Sequence, residues 1–207
     1  WVDWDRRRAA REVAHELLRN GRRRLLFLHG PDSPGVEQRA RGLRDAMREA
    51  GEGSVAACGL PSSGSAVEPV TDFLRRNPPD AVVCQTEGEA LATFSAARRC
   101  GLDIPGALAV ASLSVCPLAE QFAPGLTDVA VDYQLLAQQA LRLLQAPPAG
   151  PGAGTQGKTG VRVPGHVRWR GSTRLPNKSN GTANRDVTRR STTDENAHIA
   201  NQRRRKP

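Results

Sequence analysis

The amino-acid sequence predicts an α/β domain in which a parallel β-sheet is covered by helices on both faces. Short apolar segments of strand length alternate along the chain with longer segments whose apolar residues recur every three or four positions. Repeated alternation of this kind is typical of parallel strands that are joined by crossing helices. A chain of 207 residues can hold one sizeable core or two small lobes.

The first helix is predicted over residues 6–20, because Val13, Ala14 and Leu17 share one face and Gly21 is a natural helix stop. In chain order, the predicted helices cover residues 6–20, 36–50, 67–74, 88–99 and 132–144. The predicted strands cover residues 25–29, 54–58, 81–85, 108–113, 161–163 and 167–169.

Two of these helices carry more specific predictions. In the helix over residues 88–99, the spacing of Leu91, Phe94 and Ala97 predicts that all three face inward. In the last helix, Asp132 is predicted to cap the amino-terminal end, since an aspartate oxygen there accepts a hydrogen bond from a free backbone N–H group.

The net charge of +9 is unevenly distributed along the chain. The residues from Arg174 onward carry nine basic and three acidic groups, whereas residues 1–173 carry 21 basic and 18 acidic groups. Residues 174–207 also lack apolar periodicity, so a disordered basic tail is predicted there. The high overall charge is therefore poor support for nucleic-acid binding by the folded part.

The sequence shows no catalytic, metal-binding or cofactor-binding motif. Cys58, Cys84, Cys100 and Cys116 form no C-x-x-C pair, and no histidine stands at zinc-ligand spacing from two of them. We therefore predict structural cysteines in a reducing cytoplasm, with no metal and no cofactor. No apolar run approaches the ~20 residues that a membrane helix needs, so no membrane association is expected.

Seven short segments form a collinear pattern along residues 1–173. They are Val2–Asp5, Leu17–Gly21, Arg39–Leu43, Pro79–Cys84, Gly101–Pro105, Pro124–Val129 and Arg170–Thr173. In this order and spacing they resemble the effector-binding half of the lactose/galactose-repressor-type (LacI/GalR) transcription regulators.

The resemblance implies a periplasmic-binding-protein-like fold, in which two lobes share a cleft and the chain crosses between them three times. Residues 1–115 and 161–173 would form the carboxy-terminal lobe, and residues 125–146 would form part of the amino-terminal lobe. The rest of that lobe and the family's helix-turn-helix have no counterpart in these 207 residues. We therefore expect an amino-terminally truncated chain.

Two candidate ligand-binding residues follow from the resemblance. Arg39 begins the segment that is similar to the family's R-x-x-G-F/W stretch, although Leu43 replaces the aromatic residue. The resemblance implies that Arg39 points into the cleft and hydrogen-bonds the effector; the alternative is a solvated or ion-paired surface group. Asp5 aligns with an aspartate that could bind a polyol, but it could also simply cap the helix that opens at Arg6.

Thr86 and Ser114 complete the predicted site, at positions where the sequence departs from the family. Thr86-Glu87 stand where Asn-Asp is usual, and Ser114-Val115 stand where Asp-Asp is usual. The second departure removes the carboxylate that typically holds a sugar hydroxyl in the family. This changes which ligands can have all their polar groups hydrogen-bonded in the site. Either the effector is not an ordinary sugar, or ligand binding has weakened. For a chain that binds a ligand, we expect a small effector that is sugar-like or anionic, with Arg39 as its main anchor.

The predicted function is the effector-sensing and dimerising portion of a DNA-binding transcription regulator. Operator DNA would be bound through the absent helix-turn-helix, and the partner in the dimer would be a second copy. The alternative is a solute-binding protein of a transport system, which shares the fold. An enzyme is not expected.

Overall fold

The centre of the molecule is a four-stranded parallel sheet whose strands are packed between two pairs of helices. The computed structural model describes residues 1–61, 64–145 and 160–174. Within these ranges the helices are α1 (Arg6–Arg19), α2 (Pro34–Ala50), α3 (Val67–Arg76), α4 (Glu87–Arg99) and α5 (Tyr133–Gln145). The strands are β1 (Val2–Trp4), β2 (Arg24–His29), β3 (Ser54–Gly59), β4 (Ala81–Cys84), β5 (Ala109–Ser112), β6 (Asp128–Val131), β7 (Val161–Val163) and β8 (Gly165–Arg168).

The strand order of the sheet is β3-β2-β4-β5, and every pair in it is parallel. β4 and β5 are buried along their whole length, as expected for strands that are covered on both faces. Because all four strands run the same way, their carboxyl ends meet at one edge of the sheet. That edge is formed by the residues that follow β2, β4 and β5.

The two faces of the sheet are covered by different helix pairs. α1 and α2 pack on one face around Phe27 and Leu43, and α3 and α4 pack on the other face around Leu26 and Leu74. α1 and α2 approach closely at Gly42, where an added Cβ atom would lie 2.2 Å from the carbonyl oxygen of Arg7. The predicted parallel sheet with helices on both faces is confirmed.

Two further strand pairs lie beside the main sheet. β1 pairs in parallel with β7, and β6 pairs in antiparallel fashion with β8. A bridge between Ala111 and Thr127 connects the approach to β6 with β5. The sequence patterns predicted neither β1 nor β6, whose residues form strands by pairing with the distant β7 and β8.

The specific predictions for α4 and α5 have opposite outcomes. Leu91 was predicted to face inward, but it is 60% exposed, so that prediction is wrong. α4 turns its small residues toward the sheet, including Ala90 and Ala97, and this leaves Leu91 on the outer surface. Asp132 does cap α5, because its carboxylate accepts a hydrogen bond from the N–H of Leu135 over 2.8 Å.

The predicted disordered tail, residues 174–207, lies outside the described residues except for Arg174. The division of residues 1–173 into lobes remains a prediction. In the described part of the chain, no helix is long and apolar enough to cross a membrane.

Candidate functional site

Arg39 projects from α2 to the carboxyl edge of the parallel sheet. α2 begins at Pro34 behind the capping residue Ser33, and this places Arg39 on the second turn of the helix. The side chain is buried, and its Nε–H donates to the backbone carbonyl of Leu113 over 3.1 Å. Nη1 donates to the carbonyl of Gly35 over 3.0 Å. The guanidinium is therefore held against the residue that directly follows β5.

Ser114 lies at the same place, since it comes next after Leu113. Its hydroxyl lies 3.1 Å from the hydroxyl of Ser112, the last residue of β5. Arg39 and Ser114 therefore lie at the same strand end, although within the described ranges no hydrogen bond joins their side chains. That the two residues bind one ligand remains a prediction.

Thr86 lies at the neighbouring strand end, directly before α4. Its backbone N–H donates to the carboxylate of Glu89 over 2.7 Å, and its hydroxyl also contacts that carboxylate. Glu89 extends toward the loop after β2, because a Cβ atom added at Gly30 would lie 3.9 Å from its Oε1. Glu89 also lines an open cavity of about 600 Å³ that includes Gly30 and Leu60. The sequence analysis did not identify Glu89 as a site residue.

Asp5 occupies a different position from the other three predicted residues. Its carboxylate accepts a hydrogen bond from the backbone N–H of Arg8 over 3.0 Å, so it caps α1. It lines a concavity on the outer surface of α1 and α2 together with Arg7 and Arg11. Among the described residues, no hydrogen bond or ion pair joins Asp5 to Arg39. The capping alternative is therefore confirmed, and a ligand contact from Asp5 remains a prediction.

The sequence analysis also missed three residues beside Arg39. Trp4 is buried at the end of β1, and the guanidinium carbons of both Arg6 and Arg39 lie over its ring, 4.9 and 5.4 Å from the centroid. Arg6 forms an ion pair with Asp3. The alternation Asp3-Trp4-Asp5 was the available sequence signal for a short strand with a buried Trp4. In such a strand the neighbours of the buried residue point to the opposite side.

The environment of Arg39 shapes its electrostatics. Burial lowers the pKa of Arg39 to about 10, and the nearby Arg6 lowers it as well, whereas Asp3 and Glu89 act in the opposite direction. A pKa of about 10 still leaves the group protonated at neutral pH. Arg39 is therefore a buried cation in an environment that disfavours its charge.

A second polar cluster fixes the approach to β6. Asp128 is fully buried, and its carboxylate accepts hydrogen bonds from Arg168 Nε over 2.9 Å and from the N–H of Cys116 over 3.0 Å. Arg170 pairs with the same carboxylate and also donates to the carbonyl of Leu126 over 2.9 Å. The cluster connects β6 and β8 to the segment after β5, next to Ser114.

The described residues contain no group of three His, Cys, Asp or Glu side chains that could hold a metal ion. The four cysteines are free. Cys84 is buried and lies 3.6 Å from the hydroxyl of Thr93, and burial raises the pKa of its thiol far above its usual value. Cys84 is therefore a structural cysteine that packs in the apolar core.

Comparison with known proteins places the chain in a family. A family model described as a periplasmic binding protein-like domain matches residues 14–173. The lactose operon repressor of Rhizobium radiobacter is 30% identical over 101 residues, which cover 49% of this chain and 86% of that protein. The HTH-type transcriptional regulator CelR of Thermobifida fusca is 29% identical over 150 residues, which cover 70% of this chain and 44% of that protein.

A similar fold is found in solved structures. The sugar-binding LacI-family regulator from Escherichia coli, solved in complex with phosphate, superimposes with a TM-score of 0.68 at 22% identity. The alignment covers 84% of this chain and 63% of that chain. The likeness confirms the predicted periplasmic-binding-protein-like fold.

The two relatives are transcription regulators, which favours a regulator over a transport protein or an enzyme. The chain spans less than half the length of the Thermobifida regulator. The family model covers most of this chain, and the alignment with the lactose operon repressor covers most of that protein. The chain therefore belongs to the periplasmic binding protein-like domain family, in the group formed by the LacI-type transcription regulators.

Proposed function

We propose that this chain is the effector-sensing and dimerising portion of a transcription regulator. The observation that carries the proposal is the position of Arg39, whose buried guanidinium reaches the carbonyl of Leu113 at the carboxyl edge of the sheet. Open parallel sheets bind their ligands at this edge. The regulatory role is supported by the relatives, which are themselves transcription regulators.

Arg39 and Ser114 form the centre of the proposed effector site. The guanidinium supplies directed donors for hydroxyl or acidic oxygens, and the Ser114 hydroxyl can donate or accept. Thr86 and Glu89 border the same edge at the end of β4. A ligand contact from Asp5 remains a prediction, since its carboxylate caps α1.

The proposed mechanism is a shift between two arrangements of the lobes. An effector in the cleft stabilises the arrangement that it binds more tightly, and this alters how a dimer presents its DNA-binding elements. We assign operator contacts to a helix-turn-helix domain of the LacI type and none to the residues described here. The regulator would act in the cytoplasm.

The proposed lobe division is supported by α5. No residue of α5 is buried, although the helix is amphipathic, and Leu141 and Leu144 are 56% and 81% exposed. The strands that α5 contacts most are β1 and β7, which lie beside the main sheet at the connection between the proposed lobes. We therefore propose that α5, in the predicted segment 125–146, leads into the second lobe, and that residues 1–115 with 161–173 form the carboxy-terminal lobe. Leu126 and Val129, at the start of that segment, are buried in the cores of the main sheet.

We propose that a second copy of this chain docks on an apolar groove between α4 and the segment after β5. Phe94 and Phe122 meet edge to face there, with ring centroids 4.9 Å apart. Leu91 and Leu118 border the groove and are 60% and 49% exposed. Large exposed leucines beside an aromatic pair are typical of a surface that is covered in an assembly.

Calorimetric titration of the 207-residue chain tests the effector site. The ligand panel contains lactose, cellobiose, glucose, galactose and the corresponding uronic acids. For every member that binds, Arg39→Ala should weaken binding by about 1.5–3 kcal/mol, the range for a hydrogen bond to a charged group.

Arg41→Ala is the matched control, because Arg41 lies on the same helix but is exposed and pairs with Glu37. The control should bind as the unmodified chain does. Equal binding by the Arg39 and Arg41 variants would contradict the proposed site. A chain that binds no member of the panel would contradict the proposed effector function.

A further inference from the structure

Two guanidinium groups lie close together at the start of α2. Arg6 and Arg39 both lie over the ring of the buried Trp4. Both also border Gly35, where an added Cβ atom would lie 3.2 Å from Nη1 of Arg39 and 3.5 Å from Nε of Arg6. The two arginines therefore converge on one point, although one comes from α1 and the other from α2.

The positive charge at this point is only partly compensated. Arg6 pairs with Asp3, and both side chains are partly exposed. Arg39 is 7% exposed, and within the described ranges it makes hydrogen bonds to carbonyl oxygens but no ion pair. Within the described ranges Arg6 therefore has one contacting carboxylate and Arg39 has none, since Asp3 and Glu89 act on Arg39 only at longer range. Because a buried charge without a counter-ion is costly, an additional negative group would be stabilised here.

The sequence around Ser114 has the same consequence. The strand end that Arg39 contacts carries Ser114-Val115, two residues without a carboxylate. Ser114 directly follows Leu113, which accepts the hydrogen bond from Arg39. The segment directly beside the Arg39 guanidinium therefore contributes no carboxylate that would repel an acidic ligand, and Glu89 lies at the neighbouring strand end.

We propose that Arg6 is a second ligand-binding residue beside Arg39, and that the effector is a small acidic molecule whose carboxylate or phosphate group lies between the two guanidinium groups. The proposal rests on the proposed effector function and narrows its ligand class. Arg39 fixes the anion at the buried end, and Arg6 closes the site from the partly exposed side. Guanidinium groups suit this task because their planar donor pairs match the oxygens of carboxylate and phosphate.

Matched ligand pairs test the ligand class. The intact chain is titrated by calorimetry with glucose against glucuronate, galactose against galacturonate, and glucose against glucose 6-phosphate, with inorganic phosphate as a further probe. We expect the acidic member of at least one pair to bind at least ~10-fold more tightly than its neutral partner, the lower end of what a charged hydrogen bond gives. The pair that shows this difference identifies carboxylate or phosphate as the anion.

Three variants test the role of Arg6. Arg6→Gln should weaken binding of the acidic ligand at least ~10-fold and leave the neutral partner unaffected. Asp3→Asn should tighten acidic binding, because it removes the carboxylate that neutralises Arg6. Arg8→Gln is the control, since Arg8 lies on the same helix but is exposed and lines the other concavity. The two variants should therefore change acidic binding in opposite directions, whereas general damage to the fold would weaken binding in both.

The outcomes separate this inference from the function on which it rests. A neutral sugar that binds as tightly as its acid, and that depends on Arg39 but not on Arg6, would overturn the inference and leave the effector function intact. Acidic binding that is unchanged in Arg6→Gln would also overturn it. If the unmodified chain bound neither neutral nor acidic members, both the inference and the proposed function would fail.

Discussion

Arg39 donates its Nε–H to the carbonyl oxygen of Leu113 over 3.1 Å and so connects α2 to the end of β5. The two residues lie 74 positions apart in the chain. This contact directs a charged side chain along the carboxyl edge of the sheet rather than out toward solvent. The proposed effector site depends on that orientation.

The close packing of α1 against α2 gives a stability prediction. Gly42→Ala should destabilise the fold by about 1–3 kcal/mol, since the new methyl group would lie 2.2 Å from the carbonyl oxygen of Arg7 and 2.9 Å from Cβ of Ala10. Urea unfolding followed by circular dichroism measures the change. Gly88→Ala is the control, because its nearest neighbour would be Thr86 Oγ1 at 3.7 Å. Equal stability of the two variants would contradict the described packing.

The buried Asp128 cluster gives a second prediction. Asp128→Asn removes the charge that compensates Arg168 and Arg170, so we expect a loss of about 3–5 kcal/mol in the free energy of unfolding. Glu120 is the other carboxylate beside Arg170; it is 85% exposed and lies 3.6 Å from that guanidinium. Glu120→Gln should therefore lower the free energy of unfolding by at most about 1 kcal/mol. Denaturant unfolding compares the two. A loss below 1 kcal/mol for Asp128→Asn would show that the cluster is not buried as described.

Asp80 gives a pH prediction. Burial alone would raise the pKa of Asp80, but hydrogen bonds from the Arg24 side chain and from the N–H groups of Arg23 and Arg24 outweigh it and hold the pKa below its ordinary 3.8. A carboxylate with a lowered folded-state pKa stabilises the fold above its unfolded pKa, and this stability is lost as the pH falls through the folded value.

The measurement compares the unmodified chain with Asp80→Asn by urea unfolding. The variant should be less stable by about 1 kcal/mol at pH 6, and the difference should shrink as the pH falls below 3.8. A difference that is constant between pH 6 and pH 3 would exclude the ionised carboxylate as its cause.

The apolar groove beside α4 gives a prediction about assembly. We expect the unmodified chain to be a dimer in sedimentation equilibrium at micromolar concentration, and Leu91→Asp to be a monomer, because a carboxylate would be buried against a second copy. Leu144→Asp is the control, since Leu144 is an exposed leucine on α5, away from the groove. A monomeric unmodified chain, or a dimer that persists in Leu91→Asp, would contradict the proposed interface.

The sequence predicted the central architecture because long periodic segments report which face is buried. The helix centred on Val13 and Leu17 and the all-buried strand around Val82 are examples. β1 and β6 were missed, because their pairing depends on β7 and β8 rather than on local pattern. Leu91 was misassigned because spacing alone does not reveal that the alanines of α4 face the sheet.

The candidate site was predictable only where the family pattern applied. Arg39 and Ser114 were identified by resemblance, and the structure brings them to one strand end. Arg6, Asp3 and Trp4 were not identified. The alternation Asp3-Trp4-Asp5 indicates a buried Trp4, but the position of these residues beside Arg39 arises from the packing of β1 and α1 next to α2.

A crystal structure of the chain with a bound effector tests the central claim most directly. We expect polar ligand atoms within about 3.2 Å of the Arg39 guanidinium and the Ser114 hydroxyl, at the carboxyl edge of the sheet. A ligand bound instead in the groove beside Phe94 and Phe122, with Arg39 making no contact to it, would contradict the account.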